Sequence, residues 1–495
     1  MRKGIEMKVL LLNPPFFPKF SRAQRSPAVI KSGTLYYPVW LAYATGALEG
    51  AGIETYLIDA PAEGLDLQEV LLRAGKFQPD MVVIDTSTPS ICSDIETAES
   101  IREKVPGAFL VMVGTHVSAT PEETLKASNA VNAIARHEYD DTLLHLAEVL
   151  SKGGNLSDVA GISYRSDGRI FHNGDREMIK DLDKLPFVSR VYKKHLKVEN
   201  YFYSITRYPQ ITLITGRGCP HHCTYCVYPQ TMHGRVYRCR SVENVVEEFL
   251  YIQREFPQVK EVFIEDDTLT LNRQRCREFA GLMIKSGVKI PWTANSRGDV
   301  DLETLKTMKA AGCRLLCVGI ESGDQKILNN IRKGITLEKI FRFVRDARKA
   351  GILIHACFMA GNKGETKETL SKTLRFAKRL SPDTAQFFPL MVYPGTDAYI
   401  WAKENSYLIT QDYKEWLTED GLHNCVISTP ELSSRDLVAF CDFARRSFYL
   451  RPAYVAGKIL QMVRTPSEAK RIIKSARTFF RYLFHSSSKM EKGVS

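Results

Sequence analysis

Residues 218–226 read Gly-Cys-Pro-His-His-Cys-Thr-Tyr-Cys, and their three cysteines have the spacing C-x3-C-x2-C. The apolar run Ile211–Thr215 before them predicts a buried strand, which places the cysteines on a loop at its carboxyl end. Thiolates this close together typically bind a metal ion or an iron–sulfur cluster. A structural zinc site would need a fourth protein ligand, and the nearby candidates are His221, His222 and Cys239.

After residue 206 the sequence alternates short apolar runs with helical periodicity. The runs predict six strands, at Ile211–Thr215, Val262–Glu265, Ile290–Asn295, Leu315–Ile320, Ile352–Met359 and Thr384–Met391. Among the intervening helices, Val242–Phe256 has the clearest apolar face, with Ser241 as its candidate N-cap. Six βα units are fewer than the eight of a closed barrel, so residues 206–400 are predicted to form a partial (β/α)6 TIM barrel.

An earlier βα alternation runs through residues 7–150. Its strands are predicted at Lys8–Leu12, Glu54–Ile58, Met81–Asp85 and Phe109–Val113, and its clearest helices at Trp40–Gly50, Leu67–Ala74 and Ser93–Lys104. This pattern predicts a flavodoxin-like, Rossmann-type α/β domain, whose carboxyl edge is the usual place for a ligand. Residues 151–205 are predicted to be a connector with a small hairpin, and 401–495 a helical C-terminal region.

Composition narrows the classes of protein. The 495 residues are 44% hydrophobic and 25% charged, with a formal net charge of +12, so a folded multidomain chain is expected rather than a disordered one. Eleven cysteines spread over this length do not indicate a disulfide scaffold. The sequence shows no signal peptide or membrane-spanning run, and we expect a cytoplasmic protein.

The cysteine spacing and the residues at the later strand ends resemble the radical S-adenosylmethionine (SAM) superfamily. The resemblance implies that Cys219, Cys223 and Cys226 hold a [4Fe–4S] cluster and leave one iron open to SAM. SAM is then cleaved to a 5′-deoxyadenosyl radical that removes hydrogen from a C–H bond. The SAM contacts implied by the match are Tyr225, Glu265, Asp266, Arg297, Glu321, Ser322 and Gly361. An external electron donor of the flavodoxin or ferredoxin type is implied as well.

A Rossmann-type domain in front of such a barrel resembles the cobalamin-binding class of this superfamily. The matching positions imply a cobalamin crevice that contains Asn13, Pro14, Gly114, His116 and Glu138. The Asp-x-His-x-x-Gly motif that supplies a histidine to cobalt is absent, and Arg136-His137 replaces a small glycine. The sequence leaves open whether the domain retains cobalamin.

Two further stretches, Tyr228-Pro-Gln-Thr231 and Phe448-Tyr-Leu-Arg-Pro452, resemble the hopanoid-biosynthesis-associated radical SAM proteins. This resemblance implies a hopanoid or other isoprenoid lipid, or its polar head, as substrate, with rearrangement or ring formation after hydrogen removal. Methyl transfer through cobalamin is the alternative reaction. The alternative outside the enzymes is a membrane-binding protein that zinc stabilises and that has no enzymatic activity.

The C-terminal sequence is basic and rich in apolar residues. Between Arg445 and Arg481 it has ten lysines or arginines and one acidic residue, Glu468. A basic amphipathic segment at 445–484 predicts peripheral contact with the inner face of the membrane. The alternative is a packed terminal helix with a solvated basic face. Nucleic acid is the less favoured partner, because no separate RNA-binding module follows the barrel.

Overall fold

The computed structural model describes residues 7–464 and the isolated positions Ala469, Ile473 and Arg477. Two sheets, one mostly and one wholly parallel and each flanked by helices, make up the two α/β units, and three further helices follow them in the described residues. The fold class expected from the sequence, a Rossmann-type domain followed by a partial barrel and helices, is confirmed. The segment predicted to contact the membrane is 445–484, and most of its second half, 465–484, lies outside the described residues.

The front sheet has seven strands, and the first five are parallel. In sheet order they are Glu54–Asp59, Lys8–Asn13, Met81–Asp85, Phe109–Val113, Ala133–Ala135, Ile162–Ser166 and Arg169–His172. The last two form the hairpin predicted within the connector: Ile162–Ser166 pairs antiparallel with Ala133–Ala135, and Arg169–His172 pairs antiparallel with Ile162–Ser166. The sheet therefore continues past residue 150, because this hairpin covers the edge that Ala133–Ala135 would otherwise expose.

Helices cover both faces of the front sheet, so its central strands are apolar on both sides. Leu10, Leu11 and Leu12 are all fully buried. The helices of this unit and its connector are Val39–Gly50, Ala60–Glu63, Leu67–Phe77, Ile91–Lys104, Thr115–Ala119, Pro121–Ala127, Asp140–Ser151 and Val188–His195. Asp66 begins one of them with a capping box to Glu69.

The second unit is an open barrel of six parallel strands that lie in sequence order. The strands are Gln210–Leu213, Glu261–Ile264, Trp292–Ser296, Cys313–Glu321, Leu353–Ala360 and Thr384–Pro389. The intervening helices are Val227–Thr231, Val242–Glu255, Arg273–Lys285, Leu302–Ala310, Gln325–Asn330, Leu337–Ala350 and Lys367–Leu380. Ser241 caps its helix as predicted, since its hydroxyl accepts a hydrogen bond from the Asn244 amide.

The C-terminal region is helical only in part. Helices lie at Asp397–Glu404, Ser434–Tyr449 and Pro452–Arg464, but residues 405–433 are largely irregular, with one short 3-10 turn at Tyr413–Trp416. The prediction of helix for 405–433 is wrong, because this segment packs as a loop between the two α/β units. Trp416 is buried in it, and the Gly421 carbonyl accepts a hydrogen bond from the Val29 amide. Within the described residues, no helix has the length and apolarity needed to cross a bilayer.

Candidate active site

A cavity of about 1250 Å³ lies inside the barrel, and it contains the motif with which the sequence analysis began. Cys219, Cys223 and Cys226 line it from the loop after the first barrel strand. The helices Ser434–Tyr449 and Pro452–Arg464 also contribute residues to its wall. Most of the lining surface is apolar, so the cavity suits a large, weakly polar substrate.

Backbone geometry holds the three cysteines on one loop. Gly218 has φ +86°, and a Cβ there would lie 2.2 Å from the Val236 carbonyl oxygen, so no other residue fits. Its amide donates to Asp267, and the Cys219 amide donates to the Gly234 carbonyl. The three thiols are free, and burial raises the pKa of both Cys219 and Cys226. A metal that binds Cys219 and Cys226 therefore has to displace their protons.

The donor set fits an iron–sulfur cluster with one open iron. Of the three residues that could complete a zinc site, His222 is exposed and Cys239 does not line the cavity. His221 does line it, and burial lowers the pKa of its imidazole to about 4. Two of the three zinc candidates are thereby removed and His221 is left, while the three thiols on one loop are the donor set of a cluster with one open iron.

Glu265 and Thr268 present unused polar atoms to the same cavity. Glu265 Oε2 and Thr268 Oγ1 are buried, and neither has a hydrogen-bond partner among the described residues. Burial raises the pKa of Glu265 to about 7, although the Arg25 guanidinium opposes this shift. A buried carboxylate and hydroxyl of this kind fit the ammonium and hydroxyl groups of SAM.

Arg25, which the sequence analysis missed, ties the front domain to this end of the barrel. Its guanidinium forms a partly buried ion pair with Glu265 and lies 3.2 Å from Asp267. Burial favours the neutral form of Asp267, but His233 and Arg25 hold its pKa at about 2. No spacing signal identifies Arg25, because it lies in an irregular loop 240 residues before Glu265.

Tyr225 and Glu321 form a second polar group with Lys333. The Tyr225 hydroxyl donates to Glu321 Oε1 at 2.8 Å, and Lys333 Nζ donates to the same oxygen at 2.9 Å. Glu321 has φ +67°, an unusual conformation for glutamate that turns its side chain into the cavity. Lys333 was missed as well, because it follows a short helix and belongs to no recognisable motif.

The remaining predicted SAM contacts divide into two groups. Arg297 lines the cavity, and its guanidinium donates to the carbonyls of Lys333 and Gly334. Asp266 instead accepts from the Thr215 amide and hydroxyl, both at 2.6 Å, so it braces the end of the first strand. Ser322 faces Thr373, and Gly361 donates its amide to Glu365. Asp266, Ser322 and Gly361 do not line the cavity, and their roles as direct contacts stay predictions.

The five residues predicted for the cobalamin crevice lie together at the carboxyl edge of the front sheet, but protein groups occupy their polar atoms. Asn13 bonds Asp59 and Arg22, and the Pro14 carbonyl accepts from Arg22. Glu138 pairs with Arg238. The ring of His116 packs on Tyr413, with centroids 4.8 Å apart, and burial lowers its pKa to about 3. None of the five lines the cavity.

The barrel also packs directly on this edge. The His137 ring lies 2.9 Å from the Thr231 carbonyl, and Arg217 forms a buried ion pair with Asp140 at 2.6 Å. A Cβ on Gly395 would lie 2.8 Å from that of Ala119, so the two units are in contact here. A corrin ring needs a wide gap between these surfaces. In this arrangement the crevice residues contact protein groups, and no gap of that kind separates the two units at these contacts.

Comparison with known proteins identifies the family. Residues 213–377 match the radical SAM superfamily and residues 25–147 the B12 binding domain. An uncharacterized methyltransferase of Pyrococcus horikoshii is 33% identical over 92% of this chain and 95% of its own. The chain belongs to the radical SAM superfamily, in the class that carries a B12-binding domain. It is a radical SAM enzyme with a [4Fe–4S] cluster and SAM as cofactors, and its B12-binding domain supports cobalamin as a further cofactor. This sets aside the non-enzymatic alternative.

Other similarities extend the comparison. The anaerobic magnesium-protoporphyrin IX monomethyl ester cyclase of Cereibacter sphaeroides is 30% identical over 73% of this chain and 60% of its own. The hopanoid C-3 methylase of Methylococcus capsulatus is 24% identical over 76% of this chain and 70% of its own. The structure of the radical SAM methyltransferase TsrM from Kitasatospora setae has a TM-score of 0.69 at 19% identity, covering 90% of each chain. The similarity to TsrM shows that the two chains share a fold.

Proposed function

We propose that this radical SAM enzyme activates a C–H bond of an elongated, largely apolar substrate held in the barrel cavity. The observation that carries the proposal is the cavity itself, which has the three cluster cysteines in one part of its wall and a mostly apolar lining. When bound, the cluster and SAM supply a 5′-deoxyadenosyl radical. A largely apolar lining suits such a radical, because a substrate that fills it displaces water and competing hydrogen donors from the site.

The residues of the cavity then have distinct tasks. We assign the SAM ammonium group to Glu265, whose Oε2 has no other partner among the described residues. Tyr225 and Glu321, held by Lys333, are placed to contact the nucleoside part of SAM. Arg297 is fixed by two backbone carbonyls and directs its charge toward the same wall. These groups bind and orient SAM, and they move no proton in this scheme.

Transfer of a methyl group is the first candidate for the outcome. The names of the relatives support methylation, which the sequence analysis held as its alternative, better than rearrangement or ring formation. The hopanoid C-3 methylase among them supports a lipid substrate.

The test uses reconstituted protein supplied with hydroxocobalamin as the methyl carrier, an electron donor of the flavodoxin type and SAM with a trideuteriomethyl group. Lipid extracts from cells with and without the protein would supply candidate substrates. We expect 5′-deoxyadenosine together with one lipid that gains the labelled methyl group. If 5′-deoxyadenosine forms and no lipid gains the label, methyl transfer is wrong. If neither forms with any extract, the proposal of C–H activation on a lipid fails.

Rearrangement or ring formation is the second candidate, and the closed edge of the B12-binding domain favours it. In that case the radical acts on the substrate without a methyl carrier. We expect protein purified anaerobically from cobalamin-fed cells to contain no cobalt and to show no corrin absorption after gel filtration with added hydroxocobalamin. About one cobalt per chain would contradict the closed crevice and remove the support for this second candidate.

We also propose that the helix Pro452–Arg464 lies on an anionic membrane surface. Its apolar residues Val455, Ile459, Leu460 and Val463 are between 45% and 73% exposed. Val455 and Ile459 also line the cavity, so a lipid could pass from the membrane to the site along this helix. Tyr454 anchors the helix to the barrel through a 2.7 Å hydrogen bond to the Asp383 carbonyl.

Replacing Ile459, Leu460 and Val463 together by serine should weaken binding to vesicles that contain phosphatidylglycerol. Each side chain contributes about 1 kcal/mol at an interface, so a loss of about a hundredfold is expected. Vesicle flotation at two salt concentrations measures the effect, and binding should also fall with salt. Leu72→Ser, on an exposed position of the front domain, is the matched control. Equal binding by the triple variant and the control would contradict the proposal.

A further inference from the structure

A second cluster of metal-binding side chains lies on the wall of the same cavity. The Sγ atoms of Cys317 and Cys357 and a ring nitrogen of His355 all lie within 4.8 Å of one another. All three residues are half-buried and line the cavity. They belong to the fourth and fifth barrel strands, whereas the iron–sulfur cysteines lie on the loop after the first strand. The site is therefore additional to the cluster site.

Strand register brings these side chains together. Cys317 pairs directly with His355 across two parallel strands. Cys357 follows His355 by two residues, so its side chain projects from the same face of the sheet. The Nδ1 atom of His355 lies 2.8 Å from the Thr384 hydroxyl on the sixth strand, and this contact fixes the orientation of the ring. Rigid strands, rather than a loop, thus present the three groups to the cavity.

We propose that Cys317, His355 and Cys357 bind a zinc ion whose fourth coordination position opens into the cavity. Two thiolates and an imidazole form a ligand set of the kind that zinc takes in catalytic sites. Tetrahedral zinc with Zn–S distances of about 2.3 Å separates two sulfur atoms by about 3.8 Å. The ligand atoms lie no more than 4.8 Å apart, so the two sulfur atoms would have to approach each other by at most about 1 Å to bind zinc. Side-chain rotation can supply that contraction.

Charge balance supports the same ion. Two thiolates neutralise Zn²⁺, so the complex carries no net charge into a largely apolar cavity. Cys317 and Glu321 lie on the same strand, and both line the cavity together with Lys333, so the ion would share this wall with the polar group that includes Tyr225.

The open position of the ion would take an oxygen atom of the substrate, such as a hydroxyl or an acidic group. This part of the inference rests on the proposed function, because it assumes that the cavity holds the substrate. Zinc would then act as a positioning group, which holds the polar end of an otherwise apolar molecule while the radical acts elsewhere on it. Binding of the metal itself requires no turnover.

The experiment measures metal in the cluster-reconstituted full-length protein after addition and removal of excess Zn²⁺. We expect about one zinc per chain besides the iron, and X-ray absorption at the zinc edge should show two sulfur ligands at about 2.3 Å and nitrogen or oxygen ligands at about 2.0–2.1 Å. Cys357→Ser and His355→Ala should each lower the zinc content at least tenfold and leave the iron content unchanged. Cys92→Ser, in the front domain, is the matched control and should keep its zinc.

Several results would overturn the proposal. The first is a wild-type zinc content no higher than that of Cys357→Ser. The second is a spectrum that shows four sulfur ligands on zinc. The third is zinc that is lost in Cys219→Ser but kept in Cys357→Ser. Acetohydroxamate probes the open position, and by chelating through two oxygens it should raise the number of zinc ligands from four to five without changing the two sulfurs. An unchanged spectrum would refute the open position. Because metal content is measured without turnover, a failure of the proposed radical chemistry remains distinguishable from a failure of this site.

Discussion

Cys223→Ala is expected to reduce the iron content of the reconstituted protein from about four per chain to near zero and to abolish 5′-deoxyadenosine formation. Two thiolates cannot hold a cluster whose fourth iron is already open to SAM. Iron analysis, electron paramagnetic resonance of the reduced protein and chromatography of the nucleoside measure the three effects. Circular dichroism checks that the variant is folded, since Cys223 is buried.

Cys239→Ala provides the matched control for this experiment. Cys239 lies in a two-residue strand near the cluster loop but does not line the cavity. We expect this variant to keep the cluster and its activity. If Cys239→Ala lost the metal together with Cys223→Ala, the fourth protein ligand of a closed zinc site would have been found. The assignment of Cys219, Cys223 and Cys226 as a three-thiolate set would then be wrong.

SAM binding is expected to strengthen with pH between 6 and 8 because of Glu265. Burial raises the pKa of this carboxyl above its usual value, to about 7, even with Arg25 beside it. The carboxylate therefore predominates above pH 7, and only that form pairs with the SAM ammonium group. Below the pKa, affinity should fall by up to about tenfold for each pH unit. Equilibrium dialysis with labelled SAM measures this dependence.

Glu265→Gln should bind SAM weakly at pH 8, by about tenfold or more, and should lose the pH dependence. Asp266→Asn separates a direct contact from a structural one. The Asp266 carboxylate accepts from Thr215 rather than facing the cavity, so this variant should melt at a lower temperature and keep the wild-type pH profile. A pH-independent affinity in the wild type, or a normal profile in Glu265→Gln, would contradict the assignment.

The agreement between sequence and structure is greatest where a local pattern carries the information. The strand Met81–Asp85 has the predicted bounds, because an apolar run between polar turns is buried in any α/β sheet. Ser241 caps its helix as predicted for the same local reason. The segment 405–433 was predicted incorrectly, since its conformation depends on packing against Val29 and the front domain rather than on its own periodicity.

In the site, too, the sequence predicted what a local pattern carries and missed what depends on tertiary packing. Glu265 and Asp266 are neighbours at the end of one strand, and the sequence assigned both to SAM. Adjacent side chains of an extended chain point in opposite directions, and only Glu265 faces the cavity. Arg25 and Lys333 reach the site from distant loops, so no spacing rule could have included them.

The sequence by itself determined the chemistry of this protein. The spacing of Cys219, Cys223 and Cys226 and the βα alternation around it are local features, and they suffice for a cluster on a partial barrel. Only the tertiary structure decided which groups meet. It placed protein groups in the crevice predicted for cobalamin, with Tyr413 over His116, and it brought Cys317, His355 and Cys357 together on adjacent strands. These contacts join residues far apart in the chain, and their existence depends on how whole elements pack.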